Sequence, residues 1–451
     1  MKKYLLLSTL LFSALFLSAC GSRSAKEPPV SKQPTETPSI GEQSAAVIPS
    51  DDTSSKNTPS ENISSEASAS KPNASEVYSS ATDSINALGY DLFEMMSSEG
   101  GNVCISPYSI ELALGMAANA SFGTTCDEML SVLHVNDLDA FNQAVAASKE
   151  KLENDTMDIH VANSAWYDEN MTFSGSFEAS YLPLLKDSYD AETFACDFSD
   201  SSTLFSMNDW IARATNDKIT NMISEIPQNA IFVLFNAVYF NAHWEVPFPK
   251  EGTMDEVFHS PLGDQTVPFM NLSDGYFRYT EYKGIQALRM NYEDSDMAMD
   301  ILLPLDKEQN VTELFRALTF EEKQELYRQL SDSEELSISV LRLPRFEFST
   351  ESIFLNDYLT RLGMAEAFSS GADFPLISEE AYISQICHKT FIKVDEDGTE
   401  AAAATSVMMD RMSLMEGDFI SFEADVPFVY YISDTSDGTI LFIGSMEDIP
   451  Q

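Results

Sequence analysis

Apolar and polar positions alternate along the 451-residue chain with periods that mark out helices and strands. Ile85, Leu88, Leu92, Phe93 and Met96 recur at helical spacing, and Gly100-Gly101 ends that run. Ser106 followed by Pro107 reads as a cap with proline in the first turn, opening a helix that carries Leu112, Leu114 and Met116. Thr125-Cys126-Asp127-Glu128 has the spacing of a capping box for the next helix. Ile231 to Phe240 is apolar almost throughout, with Asn236 inside it, which predicts a strand covered on both faces. Met297 to Leu305 is a second such run. Phe428–Ile432 and Thr439–Ile443 flank Ser433-Asp434-Thr435-Ser436-Asp437-Gly438, a hairpin pattern. Length alone suggests two domains, but no linker-like break divides these elements.

Val394 to Thr405 admits two readings. By propensity Gly398 breaks the chain, Thr399 caps, and four alanines continue as a solvated helix. By alternation one face carries Thr399, Ala401, Ala403, Thr405, Val407 and Met409, small and then apolar, with no charge. The other carries Glu400, Ala402, Ala404, Ser406, Met408 and Asp410 and holds both acids, which suits a strand with one face buried. No proline lies between Gly398 and Pro427 to remove a ladder donor.

The N-terminus belongs to no such element. Lys2-Lys3, the apolar run Leu5–Leu17 and the small residues before Cys20 predict a signal peptide over residues 1–19. That run is too short for an ordinary membrane-spanning helix. Leu17-Ser18-Ala19-Cys20 resembles the lipobox of bacterial lipoproteins, which implies acylation of Cys20 and a membrane anchor; plain secretion is the alternative. Residues 20–78 are rich in Ser, Thr, Pro, Asn and Ala with few large apolar side chains, the composition of a disordered tether. Lys and Arg total 26 against 72 acids, a net charge of −46, which argues against nucleic acid or anionic lipid as a partner. No Gly-x-Ser-x-Gly elbow and no phosphate-cradling loop is present, and Ser68-Ala69-Ser70-Lys71 falls in the tether. The five histidines, His134, His160, His243, His259 and His388, show no metal-ligand spacing, so neither a metal nor a cofactor is expected.

The stretch around Gly398 resembles the reactive-loop hinge of serpins, and the resemblance runs from about Asp83 to the C-terminus. Asn102-Val103-Cys104-Ile105-Ser106-Pro107-Tyr108-Ser109-Ile110, Leu234–Trp244, Leu343-Pro344-Arg345-Phe346, Leu362-Gly363-Met364, Ala367-Phe368, Ala372-Asp373-Phe374, His388-Lys389 and Asp425-Val426-Pro427-Phe428 match further family blocks in order. The resemblance implies an α+β serpin fold over residues 79–451, with helices around mixed sheets and an exposed loop near the C-terminus. It implies a monomeric suicide inhibitor, not an enzyme, that forms a covalent complex with a serine protease. The family's hinge maps onto Glu396, Gly398, Thr399, Glu400, Ala401, Ala402, Ala403, Ala404 and Thr405. Its sheet-opening cluster maps onto Ser106, Ser109, Asn236 and His388, with Trp244 where the hinge first enters. A buried Asn needs partners, and His388 is a candidate.

Counting fourteen residues from the hinge glycine, as in inhibitory members, places the reactive bond at Met412-Ser413, bait for elastase-, chymotrypsin- or subtilisin-like enzymes. The register one residue earlier, Arg411-Met412, is bait for trypsin-like enzymes. A serpin-fold binding protein without inhibitory action is the competing class, and this hinge lacks the bulky, charged or proline residues that mark it. Besides Cys20 there are four cysteines, Cys104, Cys126, Cys196 and Cys387. Export permits two disulfides, but Cys104 and Cys387 sit in apolar runs and free thiols are expected.

Overall fold

The computed structural model describes residues 80–153, 158–399 and 420–450. Its helices are α1 (Ala81–Ser97), α2 (Pro107–Ala118), α3 (Gly123–Val132), α4 (Leu138–Glu153), α5 (Leu182–Tyr189), α6 (Ser201–Ala214), α7 (Val311–Arg316), α8 (Phe320–Asp332) and α9 (Asn356–Leu362). Its strands begin with β1 (Val103–Ile105), β2 (Asp158–Asp168), β3 (Glu192–Cys196), β4 (Phe232–His243), β5 (Met254–Ser260), β6 (Gly263–Tyr282), β7 (Ile285–Asn291) and β8 (Met297–Pro304). They continue with β9 (Glu335–Pro344), β10 (Phe346–Ser349), β11 (Ile353–Phe354), β12 (Cys387–His388), β13 (Phe391–Val394), β14 (Gly398–Thr399), β15 (Ile420–Glu423), β16 (Phe428–Asp434) and β17 (Ile440–Met446).

Two large sheets organise these strands. A nine-stranded sheet runs β1-β17-β16-β8-β7-β6-β9-β15, with β5 paired to β6. A six-stranded sheet runs β10-β13-β14-β4-β2-β3, and β11 pairs with β12. The main core lies between the sheets and α1 and α2, where Leu88, Leu112, Met116, Ile301 and Tyr430 are buried. A smaller core forms where α6 covers the opposite face of the six-stranded sheet, packing Met207, Trp210 and Ile211 on Trp166, Phe235 and Ala237.

Local chemistry explains most boundaries. The Ser106 hydroxyl caps α2 by accepting the Ser109 N–H at 3.2 Å, and Pro107 occupies the first turn. α1 ends just before Gly100 and Gly101, whose φ of 81° and 85° favour glycine. β8 is buried along its whole length, as its apolar run predicts. Thr125 corrects the expected capping box: α3 begins earlier, at Gly123, and the Thr125 hydroxyl accepts the Asp373 N–H at 3.0 Å. Thr125 is the third residue inside the helix, past the position from which a side chain caps. The reciprocal box is instead at Thr319 and Glu322, at the start of α8. β4 departs from its expectation too, because Phe232, Val233 and Leu234 are only half-buried.

Glu111 of α2 is fully buried, and neither carboxylate oxygen has a hydrogen-bond partner. Burial pushes its carboxyl well above the usual range, so it stays protonated in the fold. Below the unfolded-state value, about 4.3, both states hold the proton. As pH rises above that value the unfolded state releases its proton and the folded state does not. Native stability therefore falls by about 1.4 kcal/mol per pH unit until the folded group titrates. Glu111→Leu is expected to raise the melting temperature, with a gain over wild type that grows between pH 4.5 and 7. A gain that stays flat across this range in thermal unfolding would contradict the assignment.

Candidate functional site

β4 has two unequal banks. On one side β2 pairs with it from Phe232 to Asn241. On the other, among the described residues, only Ala242 and His243 have ladder partners, Thr399 and Gly398. Across the gap β13 pairs along its length with β10 and meets β14 only at Val394↔Thr399. β14 is thus a two-residue wedge at one end of a slot between β4 and the β12–β13 segment. Beyond the wedge lies a cavity of about 130 Å³, lined by Ser109, Ile110 and Leu114 of α2, Leu234 and Asn236 of β4, and His388 of β12. This cavity leaves the start of β4 half-covered.

The wedge is held by close backbone contact. A Cβ on Gly398 would lie 2.0 Å from the Ala242 carbonyl oxygen, so only glycine permits this approach. Thr399 is 2% exposed, and its hydroxyl shares a 2.6 Å hydrogen bond with the Tyr292 hydroxyl. Tyr292 stacks on Trp244 with ring centroids 4.6 Å apart. Trp244 in turn holds the turn of the β13–β14 hairpin: its indole N–H donates to the Asp395 carbonyl at 3.0 Å and its backbone N–H to the Asp397 carbonyl at 2.9 Å.

Three consecutive acids fill that turn, and each has a cation. Lys393 lies 2.7 Å from Asp395 and Lys250 2.8 Å from Asp397. Glu396 takes Arg345 and, at 2.6 Å, the Thr253 hydroxyl. Burial by itself would raise the Glu396 carboxyl, but the Thr253 hydroxyl, a backbone N–H and Arg345 outweigh it and hold the group below its ordinary value.

Ser106, Ser109, Asn236 and His388 surround one point midway along the slot, whereas Trp244 stands at the far end of β4. His388 Nε2 accepts the Ser106 N–H at 3.1 Å, a bond that requires this nitrogen to be unprotonated. Burial holds the imidazole at about 4. His388 is not the partner of Asn236. Asn236 Nδ2 donates at 2.7 Å to Asn163 Oδ1 on β2, and Asn163 Nδ2 donates at 2.7 Å to the Tyr189 carbonyl. Among the described residues Asn236 Oδ1, buried beside the slot, has no partner. Nothing in the sequence marked Asn163, Thr253 or Tyr292: their roles arise from strands far apart in the chain. Cys104, Cys126, Cys196 and Cys387 are free thiols. Glu400, Ala401, Ala402, Ala403, Ala404, Thr405, Arg411, Met412, Ser413 and Cys20 lie outside the described residues.

The profile of the family described as "Serpin (serine protease inhibitor)" matches residues 83–449. An uncharacterised serpin-like protein of Thermococcus kodakarensis is 34% identical over 374 residues, covering 81% of this chain and 84% of that one. Leukocyte elastase inhibitor of Sus scrofa is 33% identical over 373 residues, covering 79% and 96%. Among solved structures, the thermophilic serpin tengpin in its native state superposes with a TM-score of 0.73 at 30% identity, covering 85% of this chain and 96% of that one.

Because His388 is buried neutral, its folded value of about 4 lies below its ordinary 6.5. Stability from this group is complete above the unfolded value and is lost as pH falls from about 6.5 toward 4, by about 3 kcal/mol in all. His388→Gln keeps an acceptor and has no proton to gain. Denaturant unfolding should show that wild type loses about 3 kcal/mol more than the variant across this window; parallel curves would refute the assignment.

Proposed function

The chain belongs to the serpin family, and from that premise we propose that it is a suicide inhibitor of serine proteases that traps its target by filling the slot beside β4. The observation that carries this reading is the wedge and its register. Continuing Thr399↔Ala242 one residue at a time along β4 sets Ala403 against Val238, Thr405 against Asn236 and Met409 against Phe232. Continuing Val394↔Thr399 along the other bank sets Thr405 against His388. Residues 400 to 409 thus match the free length of β4, Phe232 to Asn241. Thr399 is buried toward the main core, so alternation sends Ala401, Ala403, Thr405, Val407 and Met409 to the same side. Thr405 would bring a hydroxyl donor to the unpartnered Asn236 Oδ1.

The protease serine attacks the carbonyl carbon of Met412, the bond to Ser413 breaks, and the new amine leaves. The freed segment then forms ladder bonds on both banks, each worth of order 1 kcal/mol net. The attached enzyme is carried along before water completes hydrolysis. The inhibitor is consumed in one turnover, which is not catalysis. Met412 favours elastase-, chymotrypsin- or subtilisin-like enzymes, and Arg411 would favour trypsin-like ones. A non-inhibitory binding role is opposed by a hinge of small uncharged residues from Ala401 to Thr405.

We also place the folded domain outside the cytoplasm, anchored through lipid on Cys20 and held off the membrane by residues 20–78. Among the described residues no helix is long and apolar enough to cross a membrane.

Mixing the protein with a chymotrypsin-like protease is expected to give a complex that survives boiling in detergent. Ala403→Arg must push a guanidinium into the buried face, so insertion slows and the protein is cleaved as a substrate. A variant that traps as well as wild type would sink the slot-filling reading. N-terminal sequencing of the released fragment separates the registers: Ser413 first supports Met412 as bait, Met412 first supports Arg411. Mass spectrometry of the mature N-terminus is expected to show acylated Cys20, and an unmodified terminus would overturn the anchor.

A further inference from the structure

The cavity beside β4 is walled by Ile110 and Leu114 of α2 and by Leu234 of β4. At about 130 Å³ it is close to the roughly 150 Å³ of an apolar protein cavity that takes up one benzene molecule. Among the described residues no Lys or Arg lines it, and its one acid, Glu225, is exposed to solvent.

One edge of the cavity is polar. His388 and Ser109 both line it, and each is only 5% exposed. His388 Nε2 accepts the Ser106 N–H, so the proton of the neutral ring is on Nδ1, which makes that nitrogen a donor. Among the described residues neither this Nδ1 nor the Ser109 hydroxyl has a hydrogen-bond partner. A buried donor without an acceptor costs stability, and a ligand atom that meets it recovers that cost. The serine hydroxyl can donate or accept. The pair therefore suits a ligand hydroxyl, which accepts from the imidazole and donates to the serine. An anion is opposed, because the ring is neutral, no cation lines the walls and the chain carries a net charge of −46.

We propose that this cavity is a binding site for an uncharged molecule of one aromatic ring bearing a hydroxyl. The ring lies among Ile110, Leu114 and Leu234, and the hydroxyl meets His388 and Ser109. Occupancy has a consequence for inhibition that rests on the slot-filling reading. In the continued register Val407 lies against Leu234 and Met409 against Phe232, and alternation sends both toward α2. Their side chains would enter the space that the ring holds. Ligand and strand then exclude each other, and a bound ring diverts the inhibitor toward being cleaved as a substrate.

The test is calorimetry on the full-length protein with phenol, toluene and benzoate as probes. In a wholly apolar void toluene would bind about tenfold or more tightly than phenol, because the phenol hydroxyl gives up its water there. Here phenol is expected to bind about fivefold more tightly than toluene, and benzoate not at all. Ser109→Ala should remove the advantage of phenol and leave toluene binding as it was. Ala113→Leu on α2 and Ala230→Leu just ahead of β4 fill the cavity from two walls. Either variant, its fold checked by its melting temperature, should lose both ligands. Tighter binding of toluene or benzoate than of phenol, phenol binding that survives the filled cavity, or no binding to wild type overturns the site. In the trapping assay, phenol at about ten times its dissociation constant should slow complex formation roughly tenfold, with protease activity on a small synthetic substrate as the control. Phenol that binds but leaves trapping unchanged overturns the competition. A wild type that traps no protease overturns the slot-filling reading instead, and the site is then decided by the calorimetry alone.

Discussion

An unpaired strand edge inside a folded protein is the constraint on which this molecule turns. Buried backbone N–H and C=O groups require partners, and β4 is paired with β2 from Phe232 to Asn241 on one bank while, among the described residues, two residues serve the other. The rest of the architecture accommodates that deficit. α2 floors the gap, α6 and its following chain roof it, and the β13–β14 hairpin closes one end. On the proposed slot-filling reading, the native chain does not occupy the best-paired arrangement of its own sequence, and its durability is then a matter of rates.

Within that frame the slot is polar at its middle and ionic at its mouth. The ionic mouth balances three acids with three cations from three separate segments, Lys393 of β13, Lys250 ahead of β5 and Arg345 between β9 and β10. The polar middle is different: the acceptor Asn236 Oδ1 has no partner, and His388 must stay neutral to hold the first turn of α2. Glu111, one turn further along the same helix, is also unsatisfied among the described residues. Such groups each forfeit stability that a fully satisfied core would keep.

Much of the frame was legible in the residues. The Ser106-Pro107 cap, the glycine stop after α1, the buried run of β8 and the β16–β17 hairpin follow from local rules. The alternation that gives Thr399 a buried face needs only the period of a strand, and it defeats the helix reading of that residue. Local rules failed where a distant segment claims a side chain. Thr125 looks like a cap but serves Asp373, and Asn236 looks ready for His388 but is taken by Asn163. The hydrogen bonds of Asn208, Ser352 and Cys387 were invisible for the same reason: these residues are separated by long stretches of chain and meet only at the backbone of Met222 and Ile223, which carries no sequence signal.

The two ends of the segment 400–419 are fixed in different sheets, β14 in one and β15 in the other. Glu423 of β15 sits opposite Arg342, three residues from the Arg345 that holds Glu396, so both anchors lie near the same end of the slot. Laying residues 399 to 409 along β4 would carry the chain about 33 Å from that end. Residues 410–419 would then have to return, and their full reach is about 35 Å. On the slot-filling reading an intact chain would be drawn almost taut before the slot is full, and cutting one peptide bond would remove that tension at once, so that this bond would act as the molecule's catch.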